Sequence, residues 1–176
     1  MDFNESKTHK NLSTAYLREA GAALEYYFYS EQARVDGYEQ IANVLKTFGD
    51  NEKAHSKIWF KLFHNIADTE ANLKDAKDLE NYERTVLYAQ FAKDAREEGF
   101  NDIAELFDGV SAIEQEHERT YKTLLEKVKS GCVFESQEEV TWQCGNCGHR
   151  HNGKTPPETC PVCSHPKAFF SILNQN

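Results

Sequence analysis

Four long stretches of the chain carry apolar side chains in alternating steps of three and four. That repeat belongs to a helix with one stripe facing a core. The first stripe is Leu12, Ala15, Glu19, Ala22, Tyr26, Tyr29, Ala33, and the second is Tyr38, Ile41, Leu45, Phe48, Glu52, His55, Trp59, Leu62. The third includes Leu73, Ala76, Glu80, Glu83, Leu87 and Phe91, and the fourth runs Ile103, Phe107, Val110, Glu114, His117, Tyr121, Leu124, Val128. Helices are expected from about Thr8 to Asp36, Tyr38 to Asn65, Thr69 to Glu98 and Asn101 to Ser130. Gly37, Gly99 and Gly131 stand at their ends, and no proline precedes Pro156.

Each stripe is broken by acid near its middle. Glu52 and His55 stand three residues apart, as do Glu114 and His117. Residues at i and i+3 lie one above the other on a helix, so each pair can hold one metal ion or one member of a metal pair. Packed as a bundle, the helices would bring Glu19, Glu52, Glu80, Glu83 and Glu114 to one level with His55 and His117. Burying a lone carboxylate costs several kcal/mol (roughly) even after relaxation, so five acids on a dry seam require cations. Oxygen-rich ligation with two imidazoles suits a pair of Fe or Mn ions, and Zn less well. A single E-x-x-H on a helix means little; two on the seam, each matched by acid on a neighbouring helix, mean much more. The halves look related, each with one acid-bearing helix and one E-x-x-H helix, which implies an internal pseudo-two-fold. The remaining histidines, 9, 64, 149, 151 and 165, lie off the stripes and are expected at the surface.

Composition narrows the setting. The chain has 176 residues, 28% of them charged, and a formal net charge of −9. That balance disfavours nucleic acid and anionic membranes, which reward basic surfaces. No apolar run approaches the roughly 20 residues of a membrane span. The first residues, MDFNESKTHK, lack a signal-peptide core, so a cytoplasmic protein is expected.

After Gly131 the character changes. A linker leads into a short strand, then Cys144-Gly-Asn-Cys147 and Cys160-Pro-Val-Cys163. Two C-x-x-C pairs at this spacing signal a closed S4 site for Fe or Zn. About 35 residues hold too little core to fold without such a staple. Cys132 lies outside both pairs and is expected to be a plain thiol. The division expected is a helical domain over 1–131, a linker over 132–140 and a metal ribbon over 141–176.

The order Glu, E-x-x-H, Glu-x-x-Glu, E-x-x-H, followed by the two cysteine knuckles, resembles the rubrerythrin family. GYEQIA at Gly37, NEKAH at Asn51, DTEANLK at Asp68, FAKDAREEGF at Phe91 and CGNCGH…CPVCSHP carry the likeness over nearly the whole chain. The resemblance implies a mainly α fold, a four-helix ferritin-like bundle followed by a small rubredoxin-like ribbon. It implies a non-haem di-iron peroxidase that reduces hydrogen peroxide to water with electrons relayed through a rubredoxin-type iron. Glu19, Glu52, Glu80, Glu83, Glu114 and His117 would then ligate two Fe ions, with His55 exchanging for Glu83 between redox states. Tyr26 and Tyr88 would stand near the centre. Cys144, Cys147, Cys160 and Cys163 would hold one Fe, with Zn a possible substitute. The electron donor would be rubredoxin or an NAD(P)H-dependent reductase. Ser164 stands where free-standing rubredoxins carry glycine, which is expected to loosen the second knuckle.

In ferritin-like bundles the second and third helices run parallel, so their connection must cross the bundle's length. Here about six residues are available, spanning about 20 Å, against about 39 Å for a 26-residue helix. A domain-swapped homodimer, or a higher oligomer built from it, is therefore expected, with ligands to each centre drawn from two chains. The rival functions are an iron-sequestering ferritin-like protein or ferroxidase, and a Zn-ribbon scaffold with a metal-stabilised bundle.

Overall fold

The computed structural model describes residues 2–173. They form two compact units, divided between Ala67 and Asp68.

The first unit is an antiparallel helical hairpin of α1 (Lys7–Val35) and α2 (Glu39–Phe63). Ser6 caps α1 by accepting the His9 N–H at 3.1 Å. Gly37 ends it with φ +84°, which lets the Tyr38 N–H reach back to the Ala33 carbonyl at 2.8 Å. The same device recurs at Gly99, where Phe100 N–H meets the Ala95 carbonyl at 2.8 Å, and at Gly131, where Cys132 N–H meets that of Lys127 at 2.9 Å.

The inner line of this hairpin is made of small residues. Ala23, Ser30 and Ala33 of α1 are buried against Ala42, Gly49 and Ser56 of α2. A Cβ on Gly49 would lie 3.1 Å from the Tyr27 ring and 3.2 Å from the Ala23 carbonyl oxygen, so the helix axes sit as close as backbone allows. Ser30 Oγ donates to the Ala42 carbonyl at 2.8 Å, and Tyr27 donates its phenol to Asp50 at 2.8 Å. The apolar stripe read from the sequence is not this line. Tyr38, Ile41, Phe48 and Leu62 are each more than half exposed in the single chain.

The second unit repeats the plan. Asp68 caps α3 (Thr69–Tyr82) through the Ala71 N–H at 2.9 Å. The helix continues through one wide, π-type turn over Glu83–Leu87 into α4 (Tyr88–Glu97), and α5 (Asn101–Ser130) returns antiparallel to it. Ala92, Ala95 and Ala104 are buried on its inner line. The long helices thus fall where the periodicity predicts them, with the π-type turn the one local departure. None of the described helices is long and apolar enough to cross a membrane.

The ribbon follows in the same unit. β1 (Val140–Cys144) lies between β2 (Arg150–Gly153) and β3 (Phe170–Ile172), antiparallel to both, with Trp142 opposite His151 and Ile172. Its core is Trp142, Cys144, Cys160 and Phe170. The fold is mainly α with a small metal ribbon, as the sequence implies.

The tight inner line yields a check. Gly49→Val is expected to force the hairpin apart and cost roughly 1–3 kcal/mol. A lower denaturant midpoint with far-UV helicity retained below the transition would bear this out, and an unchanged midpoint would contradict it.

Candidate metal centres

Each hairpin holds two carboxylates and one imidazole together. In the first, α1 supplies Glu19 and α2 supplies Glu52 and His55, with donor atoms all within 4.8 Å of one another. His55 Nδ1 lies 3.0 Å from Glu52 and 3.9 Å from Glu19. In the second, α3 supplies Glu80 and α5 supplies Glu114 and His117, again within 4.8 Å. His117 Nδ1 lies 2.7 Å from Glu114 and 3.6 Å from Glu80. The small inner residues make this possible, because wider-spaced helices would hold the acids of neighbouring helices apart.

The acids are strained by their own company. A hydrogen bond with Glu52 raises the Glu19 carboxyl above its ordinary range, helped by burial and the neighbouring charge. Glu52 is lowered in turn, because it accepts from Glu19 and then from His55. Burial raises Glu80, followed by its hydrogen bond with Glu114 and that group's charge. A cation at each cluster would relieve this mutual repulsion. Glu80 and Glu114 are the most enclosed, with side chains 14% and 12% exposed, whereas His55 and His117 are about half exposed.

Glu83 and Tyr88 border the second cluster by way of the wide turn. The Tyr88 N–H donates to the Glu83 carbonyl, five residues back, so Tyr88 stands one turn above Glu83. In a regular helix these positions would point apart. Burial raises the Tyr88 phenol, and the charges of Glu83, Glu114 and Glu80 add to it. Tyr26 is half-buried on α1.

The sequence held a signal for this turn. Ala42, His55 and Gly37 recur 62 positions later as Ala104, His117 and Gly99. Seven residues separate Glu19 from Tyr26, but eight separate Glu80 from Tyr88, and the wide turn takes up the extra one. Sequence reasoning also missed Trp59, whose buried indole N–H opposes the upward push on Glu19. It missed the clamp in which Arg84 and Asn81 both donate to Glu118, at 3.0 and 2.9 Å.

The four cysteines converge in the ribbon. Cys144 Sγ lies 3.7 Å from Cys163 Sγ, and Cys147 Sγ lies 3.6 Å from Cys160 Sγ. A tetrahedron with metal–sulfur bonds near 2.3 Å has edges of about 3.8 Å, so the set fits one tetrahedral ion. The two knuckles match. Gly148 N–H bonds the Cys144 carbonyl at 2.8 Å, and Ser164 N–H bonds that of Cys160 at 2.9 Å. Ser164 takes φ +60° beside Gly148 at +76°, so serine keeps the hydrogen bond in a left-handed conformation rather than loosening the loop. The His165 N–H lowers the Cys163 thiol to about 5, ahead of its other contacts. The His149 N–H draws Cys147 down too, but the neighbouring thiols and desolvation push it up to about 12. Such crowded thiols suit a thiolate-bound ion. His165 is more than a surface residue: it packs on Phe169 at 4.4 Å and meets the Cys163 carbonyl at 3.1 Å. Cys132 stands apart as a free thiol.

Comparison with known proteins agrees. The model of the family described as Rubrerythrin matches residues 10–125 and 72–142, and that of the rubrerythrin rubredoxin-like domain matches residues 142–171. The chain belongs to the rubrerythrin family. It is 41% identical to Rubrerythrin of Porphyromonas gingivalis, over 97% of this chain and 92% of that one. It is 39% identical to Rubrerythrin-1 of Clostridium acetobutylicum, over 97% and 96%. With Rubrerythrin of Nitratidesulfovibrio vulgaris the identity is 37%, over 97% and 96%. The donor sets fit the iron of a rubrerythrin: a di-iron pair on the two Glu-Glu-His clusters and one ion on the four cysteines.

Proposed function

We propose that the chain is a peroxidase that reduces hydrogen peroxide to two waters, in defence against oxidative stress. The observation that carries this is the joining of two Glu-Glu-His clusters and an S4 ribbon in one rubrerythrin chain. The reaction consumes two electrons and two protons per peroxide. When bound, a ferrous pair can give both electrons in one encounter, and the cysteine-held iron can refill it singly. The residues supply the rest. Glu19, Glu52, Glu80, Glu114, His55 and His117 hold the pair and neutralise its charge. Glu83, on the wide turn, is the acid free to exchange with His55 as a ligand. The Tyr88 phenol, held beside Glu83, Glu114 and Glu80, would supply protons, with Tyr26 of α1 as the second tyrosine of the proposal. Cys144, Cys147, Cys160 and Cys163 bind the relay iron. Rubredoxin or an NAD(P)H-dependent reductase in the cytoplasm is the source of electrons. The working parts are a bundle over 1–131, a linker over 132–140 and a ribbon over 141–176. A store of iron would need no such electron inlet, which disfavours the sequestering alternative.

The working assembly in this proposal is a domain-swapped homodimer. Residues 64–68 join α2 to α3 and span at most about 17 Å, whereas α2 is about 38 Å long. Each hairpin also exposes large apolar side chains beside its acids, among them Ile41 and Phe48 on α2 and Leu79, Ile113 and Leu124 on the other. A second copy would cover them.

Two experiments bear on these proposals. Anaerobically reduced protein should reoxidise faster with stoichiometric peroxide than with air, and Glu80→Ala should lower peroxide turnover at least roughly tenfold. Faster reoxidation by air would count for the storage or ferroxidase reading, and turnover untouched by the substitution would remove Glu80 from the metal shell. Separately, Glu52→Ala and Glu114→Ala chains should be inactive alone and regain turnover when co-expressed, because a swapped pair rebuilds one intact centre. No recovery in the mixed dimer would exclude the swap.

A further inference from the structure

The wide turn in the second hairpin is pinned to α5 at two points. Ser111 Oγ donates to the Arg84 carbonyl at 3.3 Å, inside the turn. The Arg84 guanidinium reaches Glu118 with two hydrogen bonds, at 3.2 and 3.0 Å, and Asn81 donates to the other Glu118 oxygen at 2.9 Å. Thr85 adds a local distortion by donating its hydroxyl to the Asn81 carbonyl at 2.6 Å. The first hairpin has no counterpart. Gly49 stands where Ser111 stands, Ser56 where Glu118 stands, and α1 runs through without a wide turn.

The helix on either side of the turn has its register fixed. Before it, Glu80 sits with Glu114 and His117. After it, Ala92 and Ala95 are buried on the inner line. One surplus residue must therefore be absorbed between them, but packing alone does not say where. A wide turn moved toward the N-terminus would rotate Glu83 by about 100°, away from the Glu80 face. Moved toward the C-terminus, it would rotate Tyr88 away instead. Only the observed position stacks both over the second cluster.

We infer that Ser111 and the Arg84–Glu118–Asn81 clamp are positioning residues that lock the wide turn at Glu83–Leu87 and so aim Glu83 and Tyr88 at the metal centre. Ser111 acts on the backbone, satisfying a carbonyl in the widened turn. Glu118 acts through Arg84, and it lies on α5 next to His117, so the turn and the ligand helix are held by one group. The inference rests on the proposed role of Glu83, but its test can be read without peroxide.

The experiment is amide hydrogen exchange on the metal-free full chain, comparing wild type with Ser111→Ala, Ser111→Thr and Glu118→Gln. Exchange of the amides from Val86 to Ala89 should quicken roughly tenfold in Ser111→Ala, about the worth of one neutral hydrogen bond. It should return toward wild type in Ser111→Thr and quicken again in Glu118→Gln, while amides near Ala104 stay unchanged. In iron-loaded protein, the visible absorption of the bundle centre should shift in Ser111→Ala and be restored in Ser111→Thr. Unaltered exchange across the turn in both Ser111→Ala and Glu118→Gln would overturn the inference, as would a threonine that fails to restore what alanine removes. Quickened exchange with peroxide turnover insensitive to Glu83 would instead uphold the pinning and sink the functional role assigned to Glu83.

Discussion

Carboxylates held against one another at partly buried sites are the constraint behind this structure. Two acids and an imidazole lie within 4.8 Å of one another on each of two hairpins, so like charges crowd at each site. Hydrogen bonding to Glu52 raises the Glu19 carboxyl and burial raises that of Glu80, while Glu52 is lowered as the acceptor. With a divalent ion at each cluster, the same crowding becomes a binding site. Much else in the helices serves that crowding. Alanine, glycine and serine line the inside of each hairpin because only small side chains let acids from two helices meet. The bulkier apolar residues, such as Ile41, Phe48, Leu79 and Ile113, are displaced outward and stand exposed in the single chain.

The duplicated plan explains where the two halves differ. Both hairpins turn at a glycine with positive φ followed by an aromatic residue, and both put E-x-x-H on the second helix. The second half carries one more acid, Glu83, and one more residue, taken up in the wide turn. In the proposed function, this asymmetry supplies the acid that would exchange with His55. The ribbon is duplicated on a smaller scale: its two knuckles make the same backbone bonds, with serine doing on one side what glycine does on the other.

Much of the fold was legible because the helices are long, amphipathic and punctuated by glycine. The four cysteines were legible because spacing alone constrains a tetrahedral site. Six of the seven bundle donors fall into the two clusters, since each breaks an apolar stripe that would otherwise run on. The inner packing line was not legible. Ala42, Gly49 and Ser56 carry little hydrophobic signal, and the periodicity of the large residues marks a different face of the helix. The wide turn was hidden for a different reason: single-residue insertions leave no mark on composition or propensity, only on the spacing between repeats. The conformation at Ser164 was not legible, because serine rarely adopts φ +60° and its doing so here depends on the knuckle around it.

The central claim is that cations, not protons, neutralise the acids at the hairpins in the working protein. Metal content is its most direct measure. Protein purified anaerobically with ferrous iron supplied, then dialysed and assayed, should hold three ions per chain, falling to one when Glu52 and Glu114 are both replaced by alanine. A wild-type chain that keeps only the cysteine-bound ion would contradict the account.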